Sequence, residues 1–172
     1  AQLSEGGPLL LLMDGGWASA EDWEARRTRA LEALDQAARA GRPVTFAVLA
    51  QPLPPEEELE SRPAADWRGE VEALRPSPWA PRRAAFEARL QGAAPAVTET
   101  LWLTDGLAHE DETLAETLAG LGPLAMVGPG GLPLALRPPR LADGALTGTV
   151  LRAESGLQRS VSMTAMGRTE RG

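Results

Sequence analysis

The chain has 172 residues, 43% of them hydrophobic, so it is long and apolar enough to form one domain with a buried core. Its formal charge of −7 argues against nucleic acid as a ligand, because proteins bind nucleic acids largely through Lys and Arg contacts to phosphates. The absence of Cys excludes disulfide bonds and thiolate chemistry.

No stretch approaches the roughly 20 apolar residues of a membrane-spanning helix, so we expect no such helix in this chain. The chain starts without a Met or a signal-peptide pattern. We interpret it as a segment of a longer protein.

The first predicted unit is a strand, a turn and a long helix. Leu9 to Met13 is an unbroken apolar run, typical of a strand buried on both faces of a parallel sheet, and it stops at Asp14. Ser19, with Asp22 three residues later, has the spacing of a capping box for a helix that continues to Ala40. Ligands of such sheets usually bind beyond the carboxyl ends of the strands, which is where Asp14 lies.

The rest of the chain alternates in the same way. We predict further strands at 44–49, 97–104, 124–127 and, at a sheet edge, 132–136, and helices at 64–74, 81–92 and 109–121. Residues 51–62 are rich in Pro and Glu and predict a surface loop. Period-two spacing at 146–151 and 157–165 predicts a β-hairpin.

Several segments together resemble a known family. MDGGWASAEDWEARR, GRPVTFAVLA, LRPSPWAPRRAAFEARL and LWLTDG, within residues 8–137, are similar to the von Willebrand factor A (VWA)-like segment of bacterial membrane proteins. Those proteins combine a BatA-type (aerotolerance-regulator) N-terminal anchor with a C-terminal domain of unknown function. The resemblance implies a bacterial, membrane-anchored parent and leaves open on which side of the membrane this chain lies.

The fold that we expect is α/β, with a three-layer, doubly wound, mainly parallel sheet of VWA-like and Rossmann-like type. We divide the chain into a lead-in at 1–7, the VWA-like domain at 8–140, and a C-terminal β-hairpin at 141–172. That hairpin is either an appendage or the start of the next domain.

A VWA metal site would be degenerate in this chain. The family motif, Asp-x-Ser-x-Ser, reads here Asp14-Gly15-Gly16-Trp17-Ala18, so both serine hydroxyls are missing. Asp105 matches the later acid and Ser77 lies near the expected Thr loop, which leaves too few oxygen ligands for a well-formed Mg²⁺ site. We expect no resident cofactor, and an unoccupied or water-filled position between Asp14 and Asp105. The alternative is that both acids simply accept backbone N–H bonds at helix starts.

Two tryptophans are candidates for partner binding. Trp17 and Trp79 fall in loops at the same predicted edge as the two acids, whereas Trp23, Trp67 and Trp102 are predicted core residues. Alternatively, Trp17 and Trp79 pack together over the vacated metal site. The single histidine, His109, is interpreted as a solvent-facing or capping residue.

The family resemblance, together with the absence of a complete catalytic constellation, implies a non-enzymatic protein-interaction domain within a membrane-anchored bacterial protein, with an unidentified protein partner. One alternative is a metal-dependent ligand binder or hydrolase that uses Asp14 and Asp105. Another is a structural spacer domain.

Overall fold

The computed structural model describes residues 6–52, 58–109, 113–131, 134–142 and 144–152, together with positions 160, 162 and 164. Its main element is a five-stranded sheet with four parallel strands and one antiparallel edge strand. The strands are β1 (Leu9–Met13), β2 (Pro43–Val48), β3 (Ser61–Pro63), β4 (Glu99–Leu103) and β5 (Leu124–Val127), in the order β3-β2-β1-β4-β5.

Helices cover both faces of this sheet. They are α1 (Trp23–Arg39), α2 (Arg68–Ala73), α3 (Arg83–Gly92) and α4 (Leu114–Leu121), with short 3-10 turns at Trp17–Ser19 and Ala64–Trp67. One core layer contains α1 and α2 side chains and the other contains those of α3 and α4. All five residues of β1 are buried, because alternate side chains enter opposite layers. The predicted mainly parallel α/β sheet is therefore confirmed.

The adjacency of the two acid-bearing strands is confirmed as well. β1 pairs in parallel with β4, in a register that places Met13 opposite Leu103. The strand order reverses between them, since β2 lies on one side of β1 and β4 on the other. Their carboxyl ends consequently form the crevice at which ligands of open α/β sheets usually bind.

The edge strands of the sheet differ from the prediction. The fifth strand is β3, which was not predicted, and it pairs antiparallel with β2. The proposed edge strand at 132–136 is wrong, because β6 (Leu134–Ala142) leaves the main sheet and forms an antiparallel hairpin with β7 (Ala145–Arg152). A C-terminal hairpin is present, but its strands are β6 and β7, whereas the prediction paired 146–151 with 157–165. Most of 157–165 lies outside the described residues.

Helix α1 begins differently from the prediction. Asp22 is its N-cap residue, and Ser19 belongs to the preceding 3-10 turn. The Ser19 hydroxyl is buried and has no hydrogen-bond partner among the described residues. The capping-box prediction is wrong at this position because an additional turn separates Ser19 from the helix.

A buried carboxylate links α3 to α4. Thr113 Oγ1 donates to Glu87 Oε2 at 2.7 Å, and Thr117 Oγ1 donates to Glu87 Oε1 at 2.5 Å. The hydrogen bond from Thr117, followed by that from Thr113, holds the pKa of the Glu87 carboxyl below its ordinary value.

No helix in the described part of the chain combines the length and the apolar composition needed to cross a membrane.

Candidate functional site

Two buried carboxylates meet at the carboxyl ends of β1 and β4. Asp14 follows β1 directly, and its backbone N–H donates to the carbonyl of Leu103 at 3.1 Å, which continues the pairing of the strands. The backbone N–H of Asp105 donates to Asp14 Oδ2 at 2.7 Å. Both acids are fully buried. The structure thus brings together the two acids that the sequence motifs singled out.

The guanidinium group of Arg83 joins the two carboxylates. Nη2 lies 2.6 Å from Asp14 Oδ2 and 3.0 Å from Asp105 Oδ1, and Nε lies 3.4 Å from Asp14 Oδ1. Arg83 is the first residue of α3, and that helix begins beside the carboxyl edge of the sheet. The prediction of an unoccupied or water-filled position between the acids is wrong, because a side-chain cation of the chain itself lies there.

Further hydrogen bonds fix the orientation of this arginine. Nη2 also lies 3.1 Å from Thr104 Oγ1, so its two protons are shared among three acceptors, and Nη1 donates to the carbonyl of Leu107 at 3.0 Å. Its guanidinium carbon lies 4.8 Å from the centre of the Trp102 ring, within the range of a cation–π contact. The Trp102 Nε1–H in turn donates to Asp14 Oδ1 at 3.0 Å. We call Asp14, Arg83, Trp102 and Asp105 the Arg83 cluster.

Helix α1 holds the loop after β4, which contains Thr104 and Asp105, from the other face of the sheet. The buried side chain of Arg26 donates through Nη1 to the carbonyl of Thr104 at 2.6 Å, and through Nε to Asp22 Oδ1 at 2.6 Å. The loop after β4 is therefore held by arginines from two helices, one on each side of the sheet.

Mg²⁺ does not fit this arrangement. A guanidinium nitrogen lies at hydrogen-bond distance from both carboxylates, in the place that a cation shared by the two acids would need. The Ser77 hydroxyl accepts a hydrogen bond from the backbone N–H of Trp79 at 3.3 Å and belongs to a turn. A side chain at Gly16 would meet the carbonyl oxygen of Trp79, since a Cβ atom there would lie 2.6 Å from it.

His109, interpreted from the sequence as a solvent-facing or capping residue, belongs to the site, and its side chain is only 17% exposed. Its Nε2 lies 3.0 Å from Asp105 Oδ2 and 3.2 Å from Asp105 Oδ1. Asp105 Oδ1 also accepts the backbone N–H of Leu107 at 3.0 Å. Each carboxylate oxygen of Asp14 and Asp105 therefore has at least one partner. The backbone N–H bonds that the two acids accept come from the loop after β4 and not from a helix start.

The two candidate interface tryptophans lie at this edge. Trp17 is 42% exposed and Trp79 is 67% exposed, in contrast to the buried Trp23, Trp67 and Trp102. Their loops are joined, because the backbone N–H of Trp17 faces the carbonyl of Trp79 at 3.4 Å and Ser77 N–H donates to the carbonyl of Gly15 at 2.8 Å. The prediction that Trp23, Trp67 and Trp102 are core residues is confirmed, whereas Trp17, predicted in a loop, begins a short 3-10 turn.

A cavity of about 370 Å³ opens beside the Arg83 cluster, between β4, β5 and α4. It is lined by Arg83, Trp102, Thr104, Gly106, Leu107, Ala108, Leu114, Ala115 and Met126. Arg83 and Trp102 belong to both the cluster and the cavity wall, so a ligand that fills the cavity would contact the cluster.

No family model matches the chain, and no curated protein matches it.

Arg83 is the central residue that the sequence patterns did not reveal. It lies 69 positions from Asp14, and no local spacing connects the two. The available signal was the position of Arg83 at the start of a helix, because the N-termini of helices that follow parallel strands gather at the carboxyl edge of the sheet.

Proposed function

We propose that this chain is a non-enzymatic protein-interaction domain of VWA type, in which the arginine side chain of Arg83 replaces the metal ion. The observation that carries the proposal is the pairing of one guanidinium with both Asp14 and Asp105. An adhesion-type VWA site binds its partner through a metal ion. A domain of this kind that holds an internal cation instead engages its partner through the surrounding surface.

The hydrogen bonds of the acids favour a structural role over acid–base chemistry. Asp14 accepts from Arg83, Trp102 and the backbone of Asp105, and it is fully buried. A catalytic carboxylate needs access to a substrate proton or to a reacting atom. The hydrolase alternative therefore has less support in this geometry than the interaction domain.

The exposed tryptophans supply the surface for a partner. Trp and Arg are enriched among the residues that dominate interface energetics, and Trp17 and Trp79 are both accessible at the sheet edge. The backbone hydrogen bonds between their loops reduce the conformational entropy that binding would cost. We propose that these two side chains anchor the partner.

The resemblance to BatA-type proteins further suggests a bacterial parent in which this doubly wound, VWA-like domain is attached to a membrane anchor outside the present chain. The partner is then a protein encountered at that membrane. The strand order β3-β2-β1-β4-β5 is compatible with this assignment.

Affinity capture from detergent-solubilised bacterial membranes tests the proposal. The wild-type domain is compared with Trp17→Ala, Trp79→Ala and, as a control, Leu141→Ala, which removes an exposed apolar side chain from the hairpin. We expect a partner that is lost with either tryptophan and kept with the control. Absence of any partner would support the spacer alternative, and a partner insensitive to both tryptophans would contradict the assigned surface.

A further inference from the structure

The cavity beside the Arg83 cluster has the composition of a binding site. Apolar side chains form most of its wall, among them Leu107, Leu114 and Met126, and Met126 on β5 is 49% exposed. Its volume of about 370 Å³ falls within the range of roughly 300–1,000 Å³ found for ligand sites. The cavity therefore has room for a large apolar side chain and part of the backbone that carries it.

We propose that this cavity binds an uncharged, leucine-sized side chain from an extended segment of the protein partner, and that Thr104 donates a hydrogen bond to a backbone carbonyl of that segment. The inference rests on the proposed function, because it names the part of the partner that the Arg83 cluster and its surroundings receive.

The hydrogen bonding of Thr104 supports a carbonyl group at this position. A threonine hydroxyl has one proton to donate and two lone pairs that accept. Thr104 Oγ1 accepts from Arg83 Nη2 at 3.1 Å and faces the backbone N–H of Gly106 at 3.3 Å. Both interactions use its lone pairs, and among the described residues no acceptor takes the hydroxyl proton, which leaves it for a ligand atom in the cavity that Thr104 lines.

The local charge selects against an anionic ligand. Arg83 lines the cavity, but its single positive charge faces two carboxylates, Asp14 and Asp105. A ligand carboxylate would also have to lose its hydration beside these acids. A neutral amide carbonyl can accept the same hydrogen bond without this penalty. The formal charge of −7 on the chain further favours a partner that carries basic residues.

Nuclear magnetic resonance titration with a small probe tests the cavity directly. N-acetyl-leucine methylamide presents the side chain and two amide carbonyls without charge, and N-acetyl-leucine presents the same side chain with a carboxylate. We expect the methylamide to shift the Met126 methyl and Trp102 indole signals with a Kd on the order of 1 mM. The carboxylate should bind at least about tenfold more weakly, because of the two acids.

Two variants of α4 show whether the shifts come from the cavity. Ala115→Phe places a ring in the cavity, whereas Ala119→Phe adds the same ring at an exposed position one turn later. Binding of the methylamide should disappear in the first variant and persist in the second. Absence of shifts up to about 20 mM probe, equal binding in both variants, or tighter binding of the carboxylate would each overturn the inference.

Capture of the protein partner separates this inference from the proposed function. Loss of the partner with Ala115→Phe but not with Ala119→Phe supports both the cavity inference and the proposed function. A partner that depends on Trp17 and Trp79 but is kept by Ala115→Phe would overturn the cavity inference and leave the proposed function standing. Binding of the methylamide without any partner in the membrane extract would support the cavity and contradict the proposed function.

Discussion

Arg83 Nη2 lies 2.6 Å from Asp14 Oδ2, and both residues are buried. This ion pair joins the first residue of α3 to the end of the central strand β1, across 69 positions of sequence. Because a second carboxylate, that of Asp105, lies 3.0 Å from the same nitrogen, one side chain offsets the mutual repulsion of two buried acids. The stability of the sheet edge consequently depends on this arginine.

Replacing Arg83 by Met should destabilise the domain strongly. Removing one partner of a buried ion pair leaves an uncompensated charge, which costs about 3–5 kcal/mol. For a chain of this size we expect the melting temperature to fall by roughly 10 °C. Arg82→Met is the matched control, because Arg82 is exposed at the adjacent position and its loss should cost less than about 0.5 kcal/mol.

The Lys variant at the same position adds a test of geometry. Arg83→Lys keeps the charge but cannot reproduce the planar set of donors that reaches Asp14, Thr104 and Asp105. Thermal and urea unfolding should place Arg83→Lys between wild type and Arg83→Met. If Arg83→Met were as stable as Arg82→Met, the structural role assigned to the cluster would be wrong.

Gly16→Ser should not restore a metal ligand. A Cβ atom at position 16 would lie 2.6 Å from the carbonyl oxygen of Trp79, and a backbone atom cannot yield without moving its loop. Overpacking of this kind costs typically about 1–3 kcal/mol. Differential scanning calorimetry should show the loss in Gly16→Ser and little change in Gly128→Ser, where nothing lies within 4 Å of the added atom. A fully stable Gly16→Ser protein would show that the Trp79 loop is free to move.

Glu87 should make stability sensitive to acid. Its pKa in the folded protein is lowered from the ordinary value of 4.5 by the hydroxyls of Thr117 and Thr113. Because the pKa is lower in the folded protein, ionised Glu87 stabilises the fold at a pH above its unfolded pKa. That stabilisation is lost as the pH falls through the folded pKa. We therefore expect the protonation of Glu87 to lower the melting temperature as the pH falls below about 4.5.

Removal of the principal hydroxyl checks the cause of the Glu87 shift. In Thr117→Val the carboxyl pKa of Glu87, followed by carbon-13 resonance titration, should move up toward its ordinary value. Thr28→Val on the exposed side of α1 controls for the effect of valine on a helix and should leave this titration unchanged. An unaltered Glu87 titration in Thr117→Val would contradict the assigned cause.

The central part of the fold follows from local patterns. The run Leu9 to Met13 predicted a strand buried on both faces, and β1 is fully buried between β2 and β4. The acid that ends this strand was placed correctly beside Asp105, because parallel neighbours end at one edge of the sheet. These features depend on periodicity and topology, which a single sequence carries.

The remaining features depend on contacts between distant residues. Ser61–Pro63 is too short for a period-two pattern and forms a strand only because β2 offers a free edge. β6 has the pair Pro138-Pro139 within it, where the register shifts, and prolines usually argue against a strand. Arg83 was obscured by composition, since all 17 basic residues of the chain are Arg and one more arginine carries little information.

Thermal melting of the wild-type domain with and without divalent cations tests the central claim most directly. If Arg83 takes the place of the metal ion, the melting temperature should be the same in EDTA and in about 10 mM Mg²⁺ or Mn²⁺, because a stabilising ligand must bind the folded state. A bound metal at a hundredfold excess over its Kd would instead add about 2.7 kcal/mol. A rise in melting temperature with Mg²⁺ that disappears in Asp14→Asn would contradict the account and restore a metal-dependent mechanism.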